Sequence, residues 1–358
     1  MSFQSSSDYS YLNAKIHAKR SRFLSAKDYE RLYSASNIED VYRLISATNV
    51  VSDEFNQLIL SGRQFSTSEI DSLLIKTFQK NYSNLVHQLP MYAQVFLRVY
   101  EKRFFIDALK IILKARHLGI EGEQVREYIV IPTGKYEAVL DQLIKISSIN
   151  NIIDQIPFPE YKKTLQDALS DYEEYNSPLI LELALFQTFF SKLWAASYAL
   201  SLSDRRGVFD IVGTDVDLIN TLAIIRGKQQ GIDTDTLKRW LISRSYRLTQ
   251  QTLENMRQVQ NINQIESILS SITSYKELSQ QIHEIFEERE VSIEKLEQKF
   301  KYFLVQKANR LLSTPFQLGI FFSYSHLAMT EFANIRAIII GKLGGLSIDE
   351  IKDSIIYF

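Results

Sequence analysis

"IRAIIIGKLGGLSIDEIKDSII", Ile335 to Ile356, is an apolar run that stops on two glycines and resumes with a polar start. A phosphate-binding loop has the form G-x-x-x-x-G-K-[ST]: the glycine amides wrap the phosphates, the lysine pairs with them and the hydroxyl holds magnesium. Here Leu343 follows Gly341-Lys342, and Arg336 stands where the first glycine belongs. The other Gly-Lys pairs, at Gly134 and Gly227, are followed by Tyr136 and Gln229, with Ile129 and Leu222 at the first-glycine position. None has the chemistry to cradle a nucleotide. A helix ending on Gly344-Gly345, then a capping box of Ser347 and Glu350 opening a second helix, fits the residue types better.

The same arrangement recurs along the chain. "ILKARHLGI" (Ile112 to Ile120), "IIRGKQQGI" (Ile224 to Ile232) and "IIIGKLGGL" (Ile338 to Leu346) align without a gap, and their glycines, Gly119, Gly231 and Gly345, lie 112 and 114 residues apart. Six positions after each glycine comes Val125, Leu237 or Ile351, and ten after comes Ile129, Leu241 or Ile355. Each copy reads as a helix, a glycine stop and a second amphipathic helix. A second set, "SNIEDVYRLI" from Ser36, "SSINNIIDQI" from Ser147 and "QNINQIESIL" from Gln260, puts Ile38, Ile149 and Ile262 in register at spacings of 111 and 113. Two sets at one period point to a triplicated unit of about 112 residues, too long for an ordinary solenoid repeat. The expected organisation is three helical lobes around a pseudo-threefold axis, with boundaries at 1–130, 131–243 and 244–358. Equivalent faces of three lobes would line a central cavity or socket.

Composition agrees with an all-α fold. Twelve glycines and six prolines in 358 residues punctuate the chain sparsely, and no proline occurs between Pro178 and Pro315. Apolar residues step by three and four, as at Val212, Val216, Ile219 and Ala223. With 45% hydrophobic residues and 23% charged the chain can bury a core, and a formal net charge of -1 gives no whole-molecule attraction for nucleic acid or anionic lipid. The absence of cysteine excludes disulfides, thiolate metal sites and cysteine nucleophiles. The stretch "LILELALFQTFFSKLWAASYAL", from Leu179, is interrupted by Glu182, Gln187 and Lys192 and reads as a buried helix.

Catalytic and metal chemistry find no constellation. The histidines, at 17, 87, 117, 283 and 326, are dispersed, and "HEIFEERE" from His283 has an acid where a second zinc ligand belongs. No G-x-S-x-G or G-x-G-x-x-G is present, and the neighbouring Glu287 and Glu288 fall on different sides of a helix. No enzyme activity, cofactor or small-molecule substrate is expected.

Two stretches nevertheless look familiar. "YLNAKIHAKRSRFLSAKDYERL" (Tyr11 to Leu32), with Asn13-Ala14-Lys15 and Arg20-Ser21-Arg22, opens the chain; "TPFQLGIFFSYSHLAMTEFANIRAIIIGKLGGLSIDEI" (Thr314 to Ile351), with Tyr324, Glu331, Asn334, Arg336 and Gly341-Lys342, closes it. Both resemble the C subunit of V-type and A-type rotary ATPases, the counterpart of the d subunit of eukaryotic vacuolar ATPases. In the middle unit Asp217, Asn220 and Gly227-Lys228 repeat part of the C-terminal pattern with Leu222 in place of Arg336; the first unit departs further, with Phe105 and Ala108 replacing the acid and the asparagine. The resemblance implies a non-catalytic, funnel-shaped rotor subunit of the central stalk. Such a subunit sits peripherally on the cytoplasmic face of the membrane proteolipid ring, receives the central shaft in its socket, and couples ATP hydrolysis or synthesis to H+ or Na+ transport. A helical scaffold binding a partner helix or peptide in a central cavity, with no rotary partner, is the competing interpretation.

Basic residues supply the candidate partner contacts. Arg116, Lys228 and Lys342 each stand three residues before a repeat glycine. There they complement a helix C-terminus, where a cation is favoured by a few tenths of a kcal/mol to about 1 kcal/mol; the alternative is a basic ring facing acidic groups of the shaft or the proteolipid loops. Lys15, His17, Lys19, Arg20 and Arg22 form the densest basic run, either a solvated helix face or a contact with partner subunits or lipid headgroups.

Overall fold

In the computed structural model residues 3–47, 66–120, 122–129, 134–315 and 317–358 are described, and among them every regular element is a helix. The expected boundary between residues 130 and 131 lies outside the described residues; that between 243 and 244 falls in the loop after Trp240. The prolines fit the helical reading. Pro159 and Pro178 each occupy the first turn of a helix, where a missing N–H leaves no hydrogen bond unmade.

In chain order the α-helices among the described residues are α1 (Phe3–Arg20), α2 (Ala26–Tyr33), α3 (Ile38–Ala47), α4 (Thr67–Val86), α5 (Met91–Tyr100) and α6 (Lys102–His117). Then come α7 (Glu137–Ile144), α8 (Ile149–Gln155), α9 (Pro159–Tyr175), α10 (Pro178–Ala196), α11 (Leu202–Gln229) and α12 (Thr234–Trp240). The last are α13 (Gln250–Gln258), α14 (Gln264–Ser270), α15 (Lys276–Glu287), α16 (Ile293–Leu311), α17 (Gly319–Leu343) and α18 (Ile348–Asp353). The chain falls into two compact units, one of residues 1–94 with 305–358 and one of residues 95–304.

The first unit joins the two ends of the sequence. Its centre is α17, whose Phe321, Leu327, Ile335 and Ile338 are fully buried, and against which α1, α3, α4 and α18 pack. In the second unit α10 is the central helix, packed by α6, α9, α11 and α12, while α11 carries α12 and α13. Burial explains α10: Leu179 to Leu193 contains ten buried apolar side chains, including Phe189 and Phe190, so greasiness that would also suit a bilayer is taken up by neighbouring helices. By length and composition Pro178–Ala199 is the one helical segment among the described residues that could cross a membrane.

The second family of repeat segments is built as the spacing requires. Val41, Ile152 and Ile265 are fully buried, and one turn further on Ile45, Ile156 and Leu269 are buried too. These side chains lie on one face of α3, α8 and α14, with Ile156 at the C-terminal cap of α8, because a step of three then four keeps to one side of a helix.

Candidate functional site

The three glycine stops share one backbone solution. Gly119, Gly231 and Gly345 have φ of 74°, 71° and 70°, the left-handed region that a side chain resists. In each, the next residue's N–H reaches back five positions: Ile120 to the Ala115 carbonyl at 2.9 Å, Ile232 to Gly227 at 2.8 Å and Leu346 to Gly341 at 2.8 Å. The glycine N–H bonds the carbonyl three before it, at 3.1, 3.2 and 3.3 Å respectively. This double closure is a Schellman motif, and it satisfies carbonyls that the helix end would otherwise leave open.

The segments after the stops differ. Beyond Gly231 and Gly345 an α-helix begins, capped by Asp233, which accepts from Asp235 and Thr236 N–H, and by Ser347, which forms the expected capping box with Glu350. The helix then lays Leu237 against Gly227, and Ile351 against Gly341, so closely that a Cβ on either glycine would come within 2.4 Å and 2.6 Å of the facing side chain. The first repeat carries Ala115 at that place, and the stretch after Gly119 is a 3-10 helix, Gly122–Tyr128, in place of the amphipathic α-helix that the spacing predicts.

All three basic residues before the glycines point across to another backbone segment. Arg116 is buried and donates from Nε to the Ile146 carbonyl at 2.7 Å, with its two terminal nitrogens on the Ile120 and Ile144 carbonyls. Lys228 Nζ donates to the Val259 carbonyl at 2.8 Å, and Lys342 Nζ to the Tyr33 and Ala35 carbonyls at 2.6 and 3.0 Å. Ile146, Val259 and Ala35 each stand three residues before the registered isoleucine of the second repeat set. The cation therefore ties a long helix to the segment leading into the next short one. In two repeats that segment lies 30 and 31 residues downstream; for Lys342 it is at the other end of the chain. Burial lowers the pKa of Lys228.

Inside the same helices lie the acid and the amide singled out by the sequence. Asp217 accepts from the backbone N–H of Tyr246 at 2.7 Å, Arg247 at 2.6 Å and Leu248 at 3.3 Å, and from the Tyr275 hydroxyl at 2.5 Å. Burial pushes this carboxyl up from its ordinary range, and the four donors pull it back. Asn220 pairs both ways with the Ile242 backbone, at 2.9 and 3.0 Å. Asn334 does the same with Ile356, at 2.8 and 3.0 Å, and also donates to the Tyr29 hydroxyl at 3.0 Å. Glu331 is the less satisfied acid. Its Oε1 accepts from Leu24 N–H at 2.6 Å, while Oε2 is buried without a hydrogen-bond partner among the described residues, and burial pushes the carboxyl up to about 8. Where the first repeat has Phe105 and Ala108, the space is apolar, Phe105 meeting the rings of Tyr136 and Phe158 at 5.5 and 5.0 Å.

The N-terminal basic residues lie on α1 and the turn after it. Lys19 donates to Asn81 Oδ1 at 2.6 Å, and burial lowers its pKa; Arg20 lies between the Phe23 and Phe358 rings, 5.0 Å from each. Lys15 lies 5.8 Å from the Tyr11 ring, and His17 and Arg22 are exposed. His283 stands beside Glu266 and Glu287, at 3.7 and 3.4 Å, and among the described residues no three metal-binding side chains converge.

Some charged contacts gave no signal in the sequence. Arg336 pairs with Asp71 at 2.7 Å across 265 positions, and Arg103 is held by Asp107 at 2.7 Å and Asp215 at 3.2 Å over the Phe186 ring. Only the i,i+4 spacing of Arg103 and Asp107 was open to a helical reading.

The repeated helix ends and the buried acid and amide side chains belong to a chain whose described regular elements are all helices. The family model described as ATP synthase (C/AC39) subunit matches residues 12–354, and the chain belongs to that family, the C subunits of A-type and V-type ATPases. The C subunit of the A-type ATP synthase from Methanocaldococcus jannaschii is 25% identical, with 97% of this chain and 86% of the relative covered. The protein of the same name from Haloquadratum walsbyi is 23% identical, covering 97% of this chain and 98% of the relative, and that from Methanosphaera stadtmanae is 23% identical over 97% and 88%.

Proposed function

We propose that this chain is a non-catalytic rotor subunit, a socket on the cytoplasmic face of the membrane that joins the central shaft of a rotary ATPase to its proteolipid ring. The observation that carries the reading is the family match along residues 12–354. Three helical lobes, related by the period of about 112 residues, would form the socket. The repeated construction of the helix ends supports it: α6, α11 and α17 each stop on a left-handed glycine and are fastened to another segment by a cation.

The mechanism is mechanical. Torque passes through a body only if the body does not yield, and buried hydrogen bonds between long helices and loops resist shear better than apolar contacts, which slide without losing a directional partner. The rotor then needs two interfaces that do not slip. The exposed members of the N-terminal basic run, Arg22 with His17, are our candidates for partner contact, together with the flanks of Lys15, Lys19 and Arg20. Arg116, Lys228 and Lys342 act here as internal fasteners, and any charge they lend to a partner is felt through the helix ends they close.

Removing the protein from membranes of its source tests the reading. The catalytic head should still hydrolyse ATP while ion uptake into vesicles is lost; normal ATP-driven ion uptake without it would falsify the proposal.

A further inference from the structure

We propose that the start of α11 is a docking surface for an acidic segment of a neighbouring protein, an inference that rests on the reading of the chain as part of a rotary assembly. Leu202, the first residue of α11, is 81% exposed, and Tyr198, in the 3-10 turn just before it, is 61% exposed. Together they form an apolar knob on a fixed base. Leu200 between them is buried, and Ser201 caps α11 by accepting from Asp204 N–H at 3.1 Å.

Arginines order this knob in advance. The Arg205 guanidinium lies 4.8 Å from the centre of the Tyr198 ring and donates to the Ser197 and Tyr198 carbonyls at 3.1 and 3.3 Å. Arg244 donates to the Tyr198 hydroxyl at 3.2 Å, at the ring's polar end. Arg206 is exposed one helical turn beyond Leu202 and on its face. The acids nearby are turned inward or engaged. Asp204 is buried and accepts from the Ser201 hydroxyl at 2.9 Å; Asp210, further along, is met by the Tyr246 hydroxyl at 2.8 Å and by Arg247 at 3.9 Å. The balance presented at the knob is positive, so its partner is negative.

The count of cations favours a protein over a lipid surface. Recognition of an anionic bilayer takes a cluster of about four to eight basic residues at the surface. Arg247 is paired with Asp210 and Arg205 lies against the Tyr198 ring and the carbonyls before α11, which leaves Arg206 and Arg244 as the exposed cations, the latter set on the neutral Tyr198 hydroxyl. Two cations and one leucine hold a chain of this size to lipid only weakly. A tyrosine and arginines already fixed in place are the residue types that dominate protein interfaces, because little side-chain freedom remains to be lost on binding.

The chain has no cysteine, so Leu202→Cys supplies a unique thiol for a benzophenone maleimide. Photolysis in the purified assembly should link it to one neighbouring protein, within a segment of net negative charge. In the Arg206→Glu, Arg244→Glu double variant, crosslinking and retention in the assembly should fall by roughly tenfold or more, as loss of close charge pairs at an interface requires, with an unchanged melting temperature. Linkage to lipid, linkage to a segment without net acidity, or full retention of the double variant overturns the surface while the chain still co-purifies with ATPase subunits. Failure of the unmodified chain to co-purify with any of them overturns both the surface and the function on which it rests.

Discussion

Glu331 and Asp217 occupy equivalent positions, fourteen residues before their glycines, yet their surroundings differ by three donors. Asp217 faces three backbone N–H groups and a tyrosine hydroxyl, which offset part of the burial that pushes its carboxyl up. Glu331 has one donor and, among the described residues, an unmatched oxygen, so its folded-state pKa, about 8, stands above the ordinary glutamate value. The unfolded chain then loses this proton before the folded one does. Stability contributed at this position is full below about pH 4.5, declines as pH rises, and is gone above about pH 8. Glu331→Gln should therefore flatten the fall in melting temperature between about pH 5 and pH 9; an unaltered slope would place the titrating group elsewhere. Lys342→Met leaves the Tyr33 and Ala35 carbonyls without their cation and should cost roughly 1–2 kcal/mol in urea denaturation. The sequence marked Glu331, Asn334 and Lys342 through resemblance and repeat position. It could not show their partners, because nothing in those patterns pairs Glu331 with Leu24 or Lys342 with Tyr33, 307 and 309 residues away.

At the scale of the element, periodicity and glycine placement carried the interpretation well. The capping box of Ser347 and Glu350 and the left-handed Gly345 follow from residue type alone, since glycine fits that conformation and a serine three before a glutamate satisfies two helix donors. The stretch after Gly119 defied the same reasoning. Val125 and Ile129 have the right spacing, but Ala115 replaces the glycine that lets a second helix lie close in the other repeats, and a 3-10 turn forms. That comparison yields a test. Gly227→Ala places a methyl group 2.4 Å from Leu237 Cδ2 and should destabilise the protein by about 1–3 kcal/mol despite alanine's better helix propensity. Combining it with Leu237→Ala should show a coupling of opposite sign in a double-mutant cycle, because the second truncation removes the obstacle to the first. Strictly additive losses would mean that the close approach costs nothing to crowd.

On the scale of the whole molecule, the all-α class was legible from sparse punctuation and stepped apolar residues, whereas the grouping of the helices was not. No local pattern announces that residues 1–94 and 305–358 form one compact unit, since the pairing of α17 with α1, α3 and α4 depends on contacts between opposite chain ends. Deleting residues 355–358 removes the Ile356 backbone that pairs with Asn334, the Tyr357 hydroxyl on Tyr33 and the Phe358 ring beside Arg20. Amide exchange should then accelerate in α2 and α17 and stay unchanged in α10, within the other unit; equal acceleration in both would mean that the two units unfold together. The same topology governs the order in which a nascent chain acquires structure. Residues 95–304 are contiguous and can close their own core while still being translated. The opening helices have no such opportunity: their buried tyrosines and leucines must wait until Gly319–Leu343 leaves the ribosome, exposed for about two hundred residues of synthesis, which makes this end of the protein the natural client of a chaperone.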